Sequence, residues 1–321
     1  MQNKLILDAR ASTILFNFLV EFKSRNKSGV FLIPANVCPI VPVIFLKSGV
    51  LFEFIDISLD NYCIQKTNLL ERVNENNKVK GILYVRSYGF MEDLSSYFDK
   101  VRKQRRDIVI IDDRCLCIPT FDNKKIYKNV DLTLFSTGYA KYVELNGGGF
   151  AFLETQWSYN KHIEKFKESD HQNLVSQMNE TIDNDSRFKY EDSDWLIFNK
   201  PIKLEKYKKT INDKIKEIIR HKLKINKIYS KSLPQELQLK SKFNNWRFNI
   251  LVKDKKMILK KIFENDLFAS SHYASISHLF GGAFSSNASK VNEEIINLFN
   301  DYRFSEEMAH KVTKIIKNNI S

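Results

Sequence analysis

KGILYVRSYGFMEDLSSYFDKVRKQRRDIVIIDD, residues 80–113, is the stretch from which the architecture can be read. KGILYV (80–85) and DIVIIDD (107–113) hold short, unbroken apolar runs closed by charged residues, and MEDLSSYFDKVRKQ between them reads as a helix. An apolar run that does not alternate with polar residues belongs to a strand covered on both faces, and strand, helix, strand is the unit from which parallel sheets are wound. Working outward, the same pattern recurs. GVFLIP (29–34) and LFEFIDI (51–57) read as strands around the helical NVCPIVPVIFLKSG, and NLLERVNENN has helical spacing. VDLTLFS (130–136) and GGFAFLE (148–154) add two more strands. The expected class is α/β, with a mainly parallel central sheet between helices.

From about residue 155 the chain turns polar and helical, with DNDSRFKYEDSD (183–194) as a surface loop. After SLPQ (232–235) a smaller α+β pattern begins. NWRFNILV (245–252) reads as a strand, KKMILKKIFEND as a helix, LFASSHY as a strand or extended turn, and SEEMAHKVTKIIKNN (305–319) as a helix opening on Ser305. The expected division is a large domain with its helical connection at 1–232 and a small C-terminal α+β domain at 233–321.

Composition narrows the function classes. The net charge is +13. Much of it lies in KLEKYKKTINDKIKEIIRHKLKINK (203–227), where Leu204, Tyr207, Ile211, Ile215 and Ile218 recur at helical spacing, so the lysines form the solvated side of an amphipathic helix. No nucleic-acid motif or stacking platform accompanies the charge, and no nucleic-acid partner is expected. The most apolar region, PIVPVIFLKSGVLFEFIDI, is interrupted by Pro42, Lys47 and Gly49, so no membrane span is expected. Cys38, Cys63, Cys115 and Cys117 sit in or beside apolar segments without zinc-pair spacing; they read as reduced thiols of a cytoplasmic protein with no metal site.

Ligands of an open parallel sheet bind beyond the carboxyl ends of its strands. Asp112 and Asp113 close one strand, Ser136 another, and Arg86 a third. In FSTGYAKYVELNGGGF (135–150), Lys141 lies between a strand end and three glycines. ARAST (9–13) precedes an apolar helical stretch, with Ser12 or Thr13 as an N-cap and an anion site at the helix start. Each has a bland reading: a turn-capping aspartate, a serine bonded to its own backbone, an ordinary capped helix, a solvated loop lysine. Together they supply an amine, a carboxylate and a phosphate site, the equipment that pyridoxal 5'-phosphate (PLP) requires.

The chain resembles the DegT/DnrJ/EryC1/StrS family of PLP-dependent sugar aminotransferases. ARASTILFNFL, VFLIPANVCPIVPVIFLKSGVLFEFIDIS, GILYVRSYGFMEDL, IVIIDDRCLC, FSTGYAKYVELNGGGF and WRFNILV with LFASSHY resemble that family's segments in the same order. The resemblance implies PLP-transferase fold type I and a homodimer. It places the catalytic lysine at Lys141, the partner of the pyridine nitrogen at Asp113, and a phosphate-binding serine at Ser136. Ser12 or its neighbour Ala11 falls at the phosphate-binding helix start, and Cys38 at the position of the ring-stacking aromatic. Arg86, His272 and Tyr273 are then expected to face substrate. The implied reaction carries an amino group, from glutamate, to a keto-sugar, nucleotide-linked, in surface polysaccharide or glycoconjugate biosynthesis.

Leu116, Arg86 and Gly147 stand where the family has glutamine, histidine and an acidic residue, and DSDWLIFNKP (192–201) does not match its phosphate-reaching asparagine loop. Two alternatives stay open. One is a PLP enzyme of the same fold with another substrate or reaction. The other is a binding protein on a degenerate scaffold, whose mark would be a missing lysine or aspartate; neither is missing. Family members with histidine at the lysine position act as sugar dehydratases, and Lys141 departs from that branch.

Overall fold

A computed structural model of the chain describes residues 3–26, 28–162, 165–198 and 202–320. In chain order the elements are β1 (Lys4–Asp8), α1 (Ala11–Arg25), β2 (Val30–Pro34), α2 (Ile40–Ser48), β3 (Leu51–Ile55), α3 (Lys66–Glu75), β4 (Val79–Val85), α4 (Ser95–Gln104), β5 (Val109–Asp113), β6 (Leu132–Ser136) and β7 (Gly149–Leu153). There follow α5 (Glu168–Asp183), α6 (Leu204–Ser232), β8 (Phe248–Leu251), α7 (Lys255–Phe263), β9 (Ala269–Ser270), α8 (Ser286–Glu294), β10 (Ile295–Leu298) and α9 (Glu306–Asn319).

Seven strands form one sheet in the order β1-β7-β6-β5-β4-β2-β3, parallel from β3 through β6, with β7 antiparallel to both neighbours. The two faces are filled by alternate residues of each strand. Phe31, Ile33, Leu83 and Ile111 pack with Ile14, Phe18, Phe22 and Phe45 of α1 and α2, whereas Leu32, Ile82, Tyr84 and Ile110 pack with Leu69, Val73, Phe98 and Val101 of α3 and α4. Burial on both sides is why these strands are continuous apolar runs. Three short antiparallel strands, ordered β8-β10-β9, make a second sheet.

Some elements escaped the sequence reading. β1 is a five-residue strand that exists by pairing with β7, and β10 follows α8 with no glycine or proline between Glu294 and Ile295. α1 is capped two residues before Ser12, the earlier of the two N-caps its sequence suggests. Arg10 is held extended (φ −150°, ψ 157°) by a bridge to Gly148, so Arg10 is the N-cap. Ser12 and Thr13 then lie inside the first turn, and the Thr13 hydroxyl donates to Ile197 O at 2.5 Å. Ser305 caps α9 as expected, accepting from Met308 N at 3.1 Å.

α6 is one helix of 29 residues, extending past the amphipathic segment read from the sequence. Near its start Tyr207 and Ile211 pack on Phe135, Phe150 and Phe152, while near its end Ile225 and Tyr229 pack on Phe248, Ile250 and Ile296 of the second sheet. One of its lysines leaves the solvated face. Lys222 is buried, donates to Trp246 O at 2.8 Å and Asn300 Oδ1 at 2.7 Å, and is pushed down to about 7 by burial.

Candidate active site

β5 ends in two carboxylates, and the alternation of a strand sends them to opposite faces. Asp112 is fully buried and engages two guanidiniums: Arg86 through Nε at 2.7 Å and Nη2 at 3.2 Å, and Arg114 through Nε at 2.7 Å. Burial works to raise Asp112, but the two arginines hold it below the usual carboxylate range. Arg86 is therefore not the substrate contact its sequence position suggested. It has no exposed surface, and its remaining Nη1 donates to Glu92 O at 2.7 Å. A charge beside a strand end looks available in sequence; here a partner on the neighbouring strand consumes it.

Asp113 turns the other way, into a cavity of about 260 Å³. Its Oδ1 accepts from Cys115 N at 2.8 Å. Burial raises its pKa, against the lowering by Cys115 and Lys141. On the next strand Ser136 Oγ accepts from Gly138 N at 3.2 Å, which fixes the turn into the lysine loop. That loop is tightly tied. Lys141 N donates to Gly138 O at 3.3 Å, Ala140 N to Glu144 Oε2 at 2.8 Å, and Trp246 Nε1 to Ala140 O at 2.7 Å. Ala140 sits at φ +55°, a conformation that non-glycine residues adopt at some energetic cost and that clusters at working sites.

The third corner is the start of α1. β1 is antiparallel to β7 and so runs parallel to β6, which brings Asp8, and the helix that follows it, to the same sheet edge as Asp113 and Ser136. The first helical bond is Ile14 N to Arg10 O at 3.2 Å, so the N–H groups of the first turn have no intrahelical acceptor. Here the glycines of the lysine motif find their role. A Cβ on Gly149 would stand 2.3 Å from Ala11 N, and one on Gly148 (φ +85°) 2.8 Å from the Tyr207 ring. At 148 and 149 they make room for α6 and α1.

Lys141, Asp113, Ser136, Ser12, Ala11 and Cys38 all line this one cavity. His272 and Tyr273 approach from the second sheet. The Tyr273 ring is stacked on Trp246 (centroids 6.3 Å, planes 7° apart), His272 N donates to Asn297 Oδ1 at 2.7 Å, and both groups feel the charge of Lys141. Burial lowers the Lys141 amine; Tyr273, Cys115, Cys38 and Asp113 work against this and leave it above its usual value. Burial also keeps the phenol and both thiols protonated at neutral pH. Cavity residues the sequence did not reveal include Tyr139, His171 and Trp195. Of these, Trp195 sits in the segment set aside as unmatched, DSDWLIFNKP, whose last three residues (199–201) lie outside the described ones.

The profile of the DegT/DnrJ/EryC1/StrS aminotransferase family matches residues 43–317. The chain belongs to that family. Among solved structures, this aminotransferase is similar to Helicobacter pylori PseC, an aminotransferase of pseudoaminic acid biosynthesis (TM-score 0.71, 16% identity, 99% of this chain and 87% of that one). It is similar as well to the sugar aminotransferase CalS13 of Micromonospora echinospora (TM-score 0.69, 12% identity, 98% and 87%). A third neighbour is the E. coli GDP-4-keto-6-deoxy-D-mannose-3-dehydratase with bound hydrated PLP (TM-score 0.66, 16% identity, 98% and 87%). At these identities the likeness establishes the shared fold. A comparison with curated proteins finds no match.

The cavity of this aminotransferase fits PLP. It offers an amine for the aldehyde, a buried carboxylate for the ring nitrogen, and a hydroxyl with free helical N–H groups for the phosphate. Two of its lining residues also hold unspent polar atoms: Trp195 Nε1 and His171 Nδ1 are buried without a hydrogen-bond partner. Such atoms are uncommon in a finished core and mark where an acceptor or donor is still to come. Among the described residues no helix is long and apolar enough to cross a membrane, and no cluster of His, Cys, Asp and Glu is fit to hold a metal.

The approach at Gly149 makes a direct prediction. Gly149→Ala is expected to lower unfolding stability by about 1–3 kcal/mol, the usual range for overpacking, and to weaken cofactor binding by displacing the first turn of α1. Thermal or urea melts and a PLP titration check both. A variant with unchanged stability and affinity would show that the contact is loose.

Proposed function

We propose that this aminotransferase holds PLP on Lys141 and carries an amino group from an amino-acid donor, glutamate, to a nucleotide-linked keto-sugar serving surface polysaccharide or glycoconjugate biosynthesis. The observation that carries the reading is the convergence of an amine, a buried carboxylate and an anion site on one cavity, reached from β5, β6 and the start of α1. The sugar is suggested by the likeness to the sugar aminotransferase CalS13, and the keto group and nucleotide carrier by the likeness to the GDP-4-keto-6-deoxy-D-mannose-3-dehydratase.

When bound, PLP supplies an electron sink for the bond to the donor's α-carbon. The chain does the rest. Asp113 keeps a proton on the ring nitrogen through a charge-assisted bond in a dry setting. Ser136 Oγ and the N–H groups of α1 hold the phosphate and fix the ring's place. Lys141 Nζ would serve as the base that carries the proton during transfer; a base already in position contributes about 10²–10⁴-fold. His272, pushed down to about 4 by burial and by the charges of Arg247 and Lys141, is neutral at pH 7. It and Tyr273 present uncharged hydrogen-bonding groups to the substrate side. We place the enzyme in the cytoplasm as a homodimer with PLP and two small-molecule substrates as its partners.

The deciding experiment is a two-stage assay. Glutamate added to the PLP-loaded protein should bleach the visible band and release 2-oxoglutarate; a nucleotide-linked keto-sugar should then restore the band and emerge as the amino-sugar. A band that glutamate leaves unchanged while another amino acid bleaches it would overturn the donor. Bleaching that no keto-sugar reverses would overturn the acceptor.

A further inference from the structure

We infer that Arg10 is the cationic anchor of the cofactor's phosphate. The inference rests on the PLP reading above and names a residue that reading does not use. Arg10 is the N-cap of a 15-residue helix, so its side chain leaves the backbone where the first-turn N–H groups are free. A Cβ placed on Gly138 would stand 3.5 Å from Arg10 Nη1 and 3.5 Å from Ser136 Oγ. The guanidinium and the hydroxyl therefore flank the same turn, at the cavity corner where α1 begins. The Arg10 guanidinium makes no hydrogen bond or ion pair with any described residue, and α1 has no acidic residue in its first turn. A half-buried arginine with five unspent donors stands apart in a chain whose buried Arg86 is engaged at Nε, Nη1 and Nη2, and whose buried Arg114 is bonded through Nε and Nη1.

The charge to be met points the same way. A phosphate monoester carries about −1.5 to −2 at pH 7. A helix N-terminus offers about half a positive charge, and Ser136 offers none. Of the cavity's described lining residues, Arg10 and Lys141 are the permanently basic ones, with His171 the third basic group. Lys141 is taken up by the aldehyde, which leaves Arg10 for the dianion. A planar fork suits tetrahedral phosphate oxygens better than a point charge. The segment 195–197 encloses the same corner: Ile197 O receives the Thr13 hydroxyl, and the Trp195 indole N–H, buried and unpartnered, lines the cavity. That orphan donor is a second sign that a group rich in acceptors belongs there.

The test compares PLP with pyridoxal, which lacks the phosphate, on apo wild type, Arg10→Met and Arg10→Lys, by absorbance titration. Arg10→Met should lose about 10- to 100-fold in PLP affinity, the range for a hydrogen bond to a charged group, and bind pyridoxal as wild type does. Arg10→Lys should fall between. Inorganic phosphate should compete with PLP for the wild-type apoprotein and less for the variants. Pyridoxal binding reports that Lys141 and the fold are intact. If Arg10→Met does not fold, Arg10→Lys and the phosphate competition decide. An unchanged preference for PLP over pyridoxal in the variants, or equal losses for both, overturns the role of Arg10 while leaving the PLP reading in place. Failure of the wild type to bind PLP overturns both.

Discussion

Lys141→Ala protein should bind PLP without the visible absorbance change that marks its attachment, and its glutamate-dependent release of 2-oxoglutarate should fall by about 10³-fold or more. The proposed mechanism asks Lys141 for two things, the covalent hold and the mobile proton, and no other described lysine lines the cavity. The loss is expected to be purely functional. The loop keeps its shape through backbone and side-chain bonds that do not involve the lysine amine, from Trp246 to Ala140, from Ala140 to Glu144 and from Gly138 to Ser136. The melting temperature should therefore stay near that of wild type. Amino transfer within tenfold of wild type in this variant would remove Lys141 from the chemistry altogether.

The neighbouring aspartates should separate stability from catalysis. Asp112→Asn leaves the buried guanidiniums of Arg86 and Arg114 without their shared carboxylate. Breaking a buried pair by removing one partner costs about 3–5 kcal/mol, so this variant should unfold far more easily. Asp113→Asn should do the reverse. Burial raises the folded pKa of Asp113, so its ionised form opposes folding at pH values above the unfolded pKa, and the amide removes that penalty. Its melting temperature should match or exceed that of wild type, while the rate drops about 10²–10³-fold for want of the charge at the ring nitrogen. Denaturant melts and the two-stage assay on both variants test the pair. An unstable Asp113→Asn or a stable but inactive Asp112→Asn would mean that the two roles are exchanged.

That pair also shows where sequence reading succeeds and stops. The strands are legible because each is buried on both faces and so written as an apolar run between charged ends. Asp113 and Ser136 are legible as strand-end polar residues, and the lysine loop by its place beside glycines. Arg86 is not, because nothing near it in sequence says that Asp112, one strand over, will take its charge. Gly148 and Gly149 are visible as glycines, but the atoms they avoid belong to Tyr207 and Ala11, distant in the chain. Trp195 and His171 reach the cavity from an irregular segment and the first turn of a polar helix, where periodicity carries no information about direction. β10 is hidden for another reason: α8 passes into it without a break.

The long helix α6 bears on how this protein can come apart. At 29 residues it is about 43 Å long. A cut after Ser232 would strip Ile225 and Tyr229 from Phe248, Ile250 and Ile296, while a cut before Leu204 would strip Tyr207 and Ile211 from Phe135 and Phe150. Neither side would leave with a complete interior. The two sheets are thus poor candidates for exchange as modules between relatives, and a protease that nicks the helix anywhere along its length severs a shared beam rather than a tether.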